Sequence, residues 1–275
     1  MSKKKRLYVS GLWIIADNPK NDADHYASLL PRTFDLLSGS TVWFYTNNDT
    51  VTQEISELAQ TRGIDLVTKR LEIPELPGWD ASNAALAACE NMKLDRFARP
   101  KSYANEKGVV HYWRDLKGGG ADTYRAMLAI WLSKVALTSA AARTQQQGSI
   151  AWVDASVSRF SNKRSNWDFT HDPGEVGKIS HYATPMRYLG RALPLNASYM
   201  EGTLTAWNRL EGLFNDALIR SLEAPYGHDE ETVLGQCISE APDLFRCIGG
   251  PKGTEKRKFP WLRLRKSHER TGWSL

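Results

Sequence analysis

Apolar runs long enough to cross a bilayer are missing from this chain, and so is any cysteine pattern. No stretch approaches the roughly 20 apolar residues that a membrane-spanning helix needs. The start, "MSKKKRLYVSGLWII", has the charge of a secretory leader, but Ser10 and Gly11 interrupt its apolar part and no small-residue cleavage site follows. It is expected to be a basic cap feeding the first strand. The 3 cysteines, Cys89, Cys237 and Cys247, form no CxxC pair, which excludes a disulfide framework and a cysteine zinc site and fits a reducing cytoplasm. Internal repeats and low-complexity linkers are also missing.

What is present is an aromatic-rich globular composition, with 10 tryptophans and 41% hydrophobic residues, enough for a large core. The net charge of +5 is unevenly spread. Residues 252–270 carry eight Lys/Arg against Glu255 and Glu269, and residues 3–6 are all basic, which leaves 7–251 at about −5. A nucleic-acid binder would more often carry a basic face inside its core domain. Basic ends interleaved with Phe259, Trp261, Leu262, Leu264 and Trp273 suit an anionic membrane surface instead, with residues 252–273 as a peripheral contact.

Hydrophobic spacing predicts strand 6–15, helix 26–38, strand 40–49, helix 50–63 and strand 64–73, the alternation of a parallel α/β sheet. Thr50 or Thr52 is the expected cap of the second helix and Gly63 its stop. Residues 74–120 read as long loops around a short helix near 81–93. A helix over 121–144 then leads to a buried strand, followed by a strand at 178–186. The segment 197–224 begins extended and turns helical, and a capped helix at 229–240 precedes a last strand at 244–248. One domain, 1–250, with a tail at 251–275, is the expected organisation.

"GSIAWVDASVSRF" (148–160) poses the chemical question. An unbroken apolar strand runs into Asp154, with no basic residue beside it and Ser156 two positions on. In open α/β sheets, ligands bind beyond the carboxyl ends of strands. A hard cation such as Mg²⁺ or Mn²⁺ takes one or two carboxylates there while a diphosphate completes its shell. The plainer alternative is an aspartate closing a turn through its own backbone.

"WVDASVSRF" resembles the strand-plus-acid element of GT-A-fold glycosyltransferases. The succession "YVSGLW", "VWFYTNND", "YRAMLAIWLSKVALTSAA", "IAWVDAS", "SYMEGTLTAW" and "HDEETVLGQCISEAPDLF" is similar to the HtrL/YibB-like bacterial glycosyltransferase-like proteins. The likeness is one of order and pattern from residue 6 to about 248. It implies a GT-A-like, mostly parallel mixed sheet and transfer of a sugar from a nucleotide donor, a UDP-sugar first of all. The acceptor would be a glycan or lipid-linked molecule in bacterial surface polysaccharide synthesis, with the enzyme cytoplasmic, at the inner face of the membrane.

That resemblance assigns Asp154 and Ser156 to the donor diphosphate, with Asp154 on a divalent cation. Where many members of the fold carry D-x-D, this chain has Asp154–Ala155–Ser156, which weakens a cation site. It also places the acids of "HDEE", Asp229 ahead of Glu230, at a helix start where an acceptor needs a general base. An acid in a first helical turn is equally explained by the helix dipole. Glu201 is a competing base. Ser10, Gly11, Asn47 and Asn48 end the first two strands at the nucleotide edge, and Lys134 matches a lysine that precedes the acid-bearing strand. The run Gly118–Gly120 reads as a hinge more than a phosphate cradle, and His268 in the tail is a late candidate ligand for metal or phosphate. The rival reading is a non-catalytic α/β protein that holds a polyanion or membrane through its basic ends. A metal-dependent hydrolase is disfavoured, because no second Asp/His cluster with ligand spacing accompanies Asp154.

Overall fold

Ser149–Val153 becomes the strand buried along its whole length, and the rest of the sheet is assembled around it. The computed structural model describes residues 6–16, 18–20, 23–91, 107–145, 148–161, 167, 169, 176–188, 191–223 and 228–250. The first half runs β1 (Arg6–Gly11), α1 (Ala23–Leu36), β2 (Thr41–Thr46), α2 (Asp49–Arg62), β3 (Asp65–Arg70) and α3 (Trp79–Asn91). Then come α4 (Lys107–Val110), a π-helical stretch His111–Leu116, α5 (Lys117–Gly119), α6 (Ala121–Gln145) and β4 (Ser149–Val153). The last part holds β5 (Ile179–Tyr182), a short hairpin β6 (Arg187–Tyr188) and β7 (Arg191–Ala192), β8 (Asn196–Gly202), α7 (Leu204–Ser221), α8 (Glu230–Glu240) and β9 (Phe245–Gly249).

Seven strands form one sheet in the order β3-β2-β1-β4-β8-β5-β9. All neighbours pair in parallel except β8, which runs against both β4 and β5. This is the mixed, mostly parallel α/β sheet that the sequence predicts. Alternation along β4 serves both faces: Ile150 and Trp152 enter the core under α6 and α7, Ala151 and Val153 the core under α1 and α2.

Three local expectations are corrected. The cap of α2 is Asn48, whose side chain accepts from the Val51 N–H at 3.0 Å; Gly63 does end the helix, at φ 61°, where a side chain would be strained. Helix α1 starts at Ala23 rather than at residue 26, and Pro31 lies inside it. Residues 107–119 are helical rather than loop; Gly120, at φ 84°, ends that stretch by donating its N–H to the Leu116 carbonyl at 3.0 Å. The glycine run is thus a helix stop.

Candidate active site

The chain leaves β1 toward β2 and β3 on one side and reaches β4 on the other, so the carboxyl ends of β1 and β4 flank the point where strand order reverses. A cleft opens there, of about 870 Å³ including space open to solvent. Its place beyond the carboxyl ends of two neighbouring parallel strands is where open α/β sheets bind ligands. Aromatic walls come from Trp13, Tyr26, Trp131 and Trp152, and Gly11 lets the end of β1 face the cleft. A Cβ on Gly11 would lie 2.5 Å from the Trp13 ring, so only glycine admits that packing.

Asp154 stands at the rim, held in place from several sides. Its Oδ1 accepts from the Lys134 ammonium at 2.9 Å and from the Trp152 indole N–H at 2.8 Å; Oδ2 accepts from the Ser198 hydroxyl at 2.7 Å, with Arg159 at 3.7 Å. Burial alone would raise its pKa, but Lys134 and then Arg159 outweigh it and hold the carboxyl down to about 2. The turn after β4 is pinned to α1: Thr33 donates to the Ala155 carbonyl at 2.8 Å, and Ser158 to the Leu29 carbonyl at 3.0 Å. That turn carries Arg159 round to the cleft, where it also donates to Ser198 at 3.1 Å.

Lys134, projecting from the middle of α6, reaches a second acid. Its ammonium lies 2.9 Å from both Asp154 and Glu230, so one buried cation ties the end of β4 to the first turn of α8. Burial would lower its pKa, yet the two carboxylates raise it. Glu231 bonds Lys107 at 2.8 Å and accepts from the Ala197 backbone N–H at 3.2 Å.

Behind this layer Asp229 is wholly buried and caps α8, accepting from the Thr232 hydroxyl at 2.7 Å and its N–H at 3.3 Å. It does not line the cleft, whereas Glu230 and Glu231 do. Between the paired candidates the open face therefore belongs to Glu230. His111 lies 3.6 Å from Asp229, beyond hydrogen-bond length, and against the Trp131 ring, with centroids 5.0 Å apart. Burial first, then Lys107, pushes its pKa down to about 3, so the imidazole is neutral.

Other expected residues disperse. Gly11, Lys134, Asp154 and Ser156 line the cleft, but Ser10 is buried beneath it, with no hydrogen-bond partner for its hydroxyl among the described residues. Asn47 donates to Glu72 at 3.3 Å and Asn48 is spent on the α2 cap, so neither meets the cleft. Glu201 is removed as a base, because it is fully buried and bonded to Arg6, Ser149 and Tyr199. Arg6, assigned by sequence to a basic cap, turns inward to that acid. His268 and the membrane contact at 252–273 lie outside the described residues, as do Lys3, Lys4 and Lys5.

Sequence reasoning missed Lys20, Lys107 and Arg159. Arg159 had a signal, five residues beyond the acid in the same turn. Lys20, in the "NPKND" loop, and Lys107 had none, because only tertiary folding brings them to the rim.

No protein-family model matches the chain, and no curated protein matches it in sequence, so the HtrL/YibB-like resemblance gains no support. Among solved structures it is similar to the glycosyltransferase GlyE of Streptococcus pneumoniae TIGR4, at 9% identity and a TM-score of 0.44. The apo form of GlyE is similar at 11% and 0.42. Each likeness covers 90% of this chain and 45% of the other, so the chain spans just under half the length of those proteins.

Proposed function

We propose that the cleft is the donor site of a glycosyltransferase, which passes a sugar from a nucleotide-sugar to a hydroxyl of a glycan or lipid-linked acceptor. The observation that carries this reading is the Asp154–Lys134–Glu230 bridge at the strand-order reversal, which fixes two carboxylates and a cation on one rim. Around it stand aromatic walls for a base and sugar, and the further cations Lys20, Lys107 and Arg159 for phosphate. In the reaction the acceptor O–H gives its proton to Glu230 as its oxygen bonds the anomeric carbon. The bond from that carbon to the diphosphate oxygen breaks, and the nucleoside diphosphate leaves with the electron pair. Holding both partners in line and offsetting the leaving charge is the protein's share of the work.

UDP-sugars are the first donors to test. The finer reading follows the sequence resemblance: surface-polysaccharide synthesis from the cytoplasmic side of a membrane. Among the described residues no helix is long and apolar enough to cross one. The deciding measurement is product formation over a donor and acceptor panel. Glu230→Gln is expected to lower kcat by about 10²–10⁴-fold while donor affinity stays within a few-fold. Full turnover in that variant removes the base assignment, and no product from any donor removes the transferase reading.

A further inference from the structure

The divalent cation expected from the sequence does not fit this rim. Asp154 already accepts two donors on Oδ1 and one on Oδ2, Glu230 holds Lys134, and Glu231 holds Lys107. A metal would have to displace a buried ammonium to gain a carboxylate, and Ser156 adds only a neutral hydroxyl. Among the described residues no group of three or more His, Cys, Asp or Glu is arranged to hold one.

Lys20 has the opposite surroundings. It lines the cleft with its ammonium 5.4 Å from the Trp131 ring, and no described carboxylate lies within ion-pair distance of it. The charges that bear on it are chiefly cationic: Arg159, Lys107 and Arg114, countered by Glu230. Burial and those like charges push its pKa down to about 8, the mark of an ammonium without a counter-ion. Its backbone N–H donates to Asn18 Oδ1 at 3.0 Å, and the preceding Pro19 ring packs on Gly119 so closely that a Cβ there would come within 2.9 Å of it. A cation with no carboxylate partner among the described residues, sharing an aromatic cleft with Arg159, is complementary to a polyvalent anion.

Resting on the donor reading above, we propose that Lys20 and Arg159 carry the donor diphosphate directly, in place of a metal ion. Asp154 then acts as the anchor of Lys134 and Arg159 rather than as a metal ligand. The test is calorimetric titration of the full chain, with inorganic pyrophosphate in EDTA and with UDP in EDTA or in excess Mn²⁺.

Both probes are expected to bind in EDTA, with UDP affinity changing less than about threefold on adding Mn²⁺. Lys20→Gln should weaken pyrophosphate by about tenfold or more with an unchanged melting temperature, and Lys20→Arg should restore it. An unaltered affinity in folded Lys20→Gln, or no pyrophosphate binding in EDTA, overturns the cradle. If UDP binds only with Mn²⁺, the cradle falls and the donor reading stands. If pyrophosphate binds through Lys20 while no nucleotide binds more tightly, the anion cradle stands and the donor reading falls.

Discussion

Two acids on neighbouring strands at the middle of the sheet, Glu201 on β8 and Asp154 after β4, have similar partners and different surroundings. Glu201 is wholly enclosed; it accepts from Arg6 at 2.9 Å, from Ser149, and from the Tyr199 hydroxyl at 2.8 Å. Asp154 is as fully bonded, yet its side chain keeps 17% exposure and faces an open cleft. Hydrogen-bond satisfaction therefore does not separate an acid enclosed in the core from one at the cleft. What separates them is whether the cations around the acid have charge left over. Arg6 is consumed by Glu201, whereas the cleft holds Lys20, which has no acid of its own among the described residues.

The comparison breaks most sharply at Glu201. Glu201→Ala leaves the Arg6 guanidinium without its carboxylate, at a cost of about 3–5 kcal/mol. For a chain of this size that is a melting temperature lower by roughly 10 °C. Pyrophosphate affinity of the folded fraction should stay within twofold, and a large loss would mean that the two clusters are one.

Asp154→Asn comes next. A folded pKa near 2 against about 3.9 unfolded stabilises the protein by about 2–3 kcal/mol at neutral pH. The contribution is complete above pH 4 and fades as pH falls toward 2. Urea midpoints of variant and parent should thus be well separated at pH 7 and converge only as pH falls toward 2; a constant gap would show that charge is not the source.

The smallest effect at neutral pH belongs to His111. With a folded pKa near 3, the unfolded chain takes a proton below pH 6.5 that the folded protein refuses, so stability declines from pH 6.5 down to about 3. His111→Gln should leave pH 7 stability nearly unchanged and reduce that acid slope. The slope should not vanish, because burial also lowers the pKa of His228 and His181.

Most of the fold was legible because the apolar periodicity is strong. Helix 121–144 is found as α6 (Ala121–Gln145), helix 229–240 as α8 (Glu230–Glu240), and strand 244–248 as β9 (Phe245–Gly249). The short helix expected near 81–93 is found as α3 (Trp79–Asn91), whereas 107–119 was misread because its glycines mimic loop although helical turns absorb them. At the site, the acid closing β4 was readable from its position and Lys134 only through the family likeness. The preference for Asp229 over Glu230 is reversed, because both suit a helix start and only the helix's rotation decides which one faces outward. Lys20 was illegible for a different reason: its significance is the absence of a carboxylate partner among the described residues, which is a property of three-dimensional neighbours.

The reversed direction of β8 has one more consequence. A strand running with its neighbours would bring its last residue to the lip of the cleft; β8 brings one of its first, Ser198, to meet Asp154 from a point 44 residues earlier in the chain. Whatever lodges there staples an outgoing strand to a returning one. Its arrival should stiffen the molecule's central seam rather than fold down a peripheral flap.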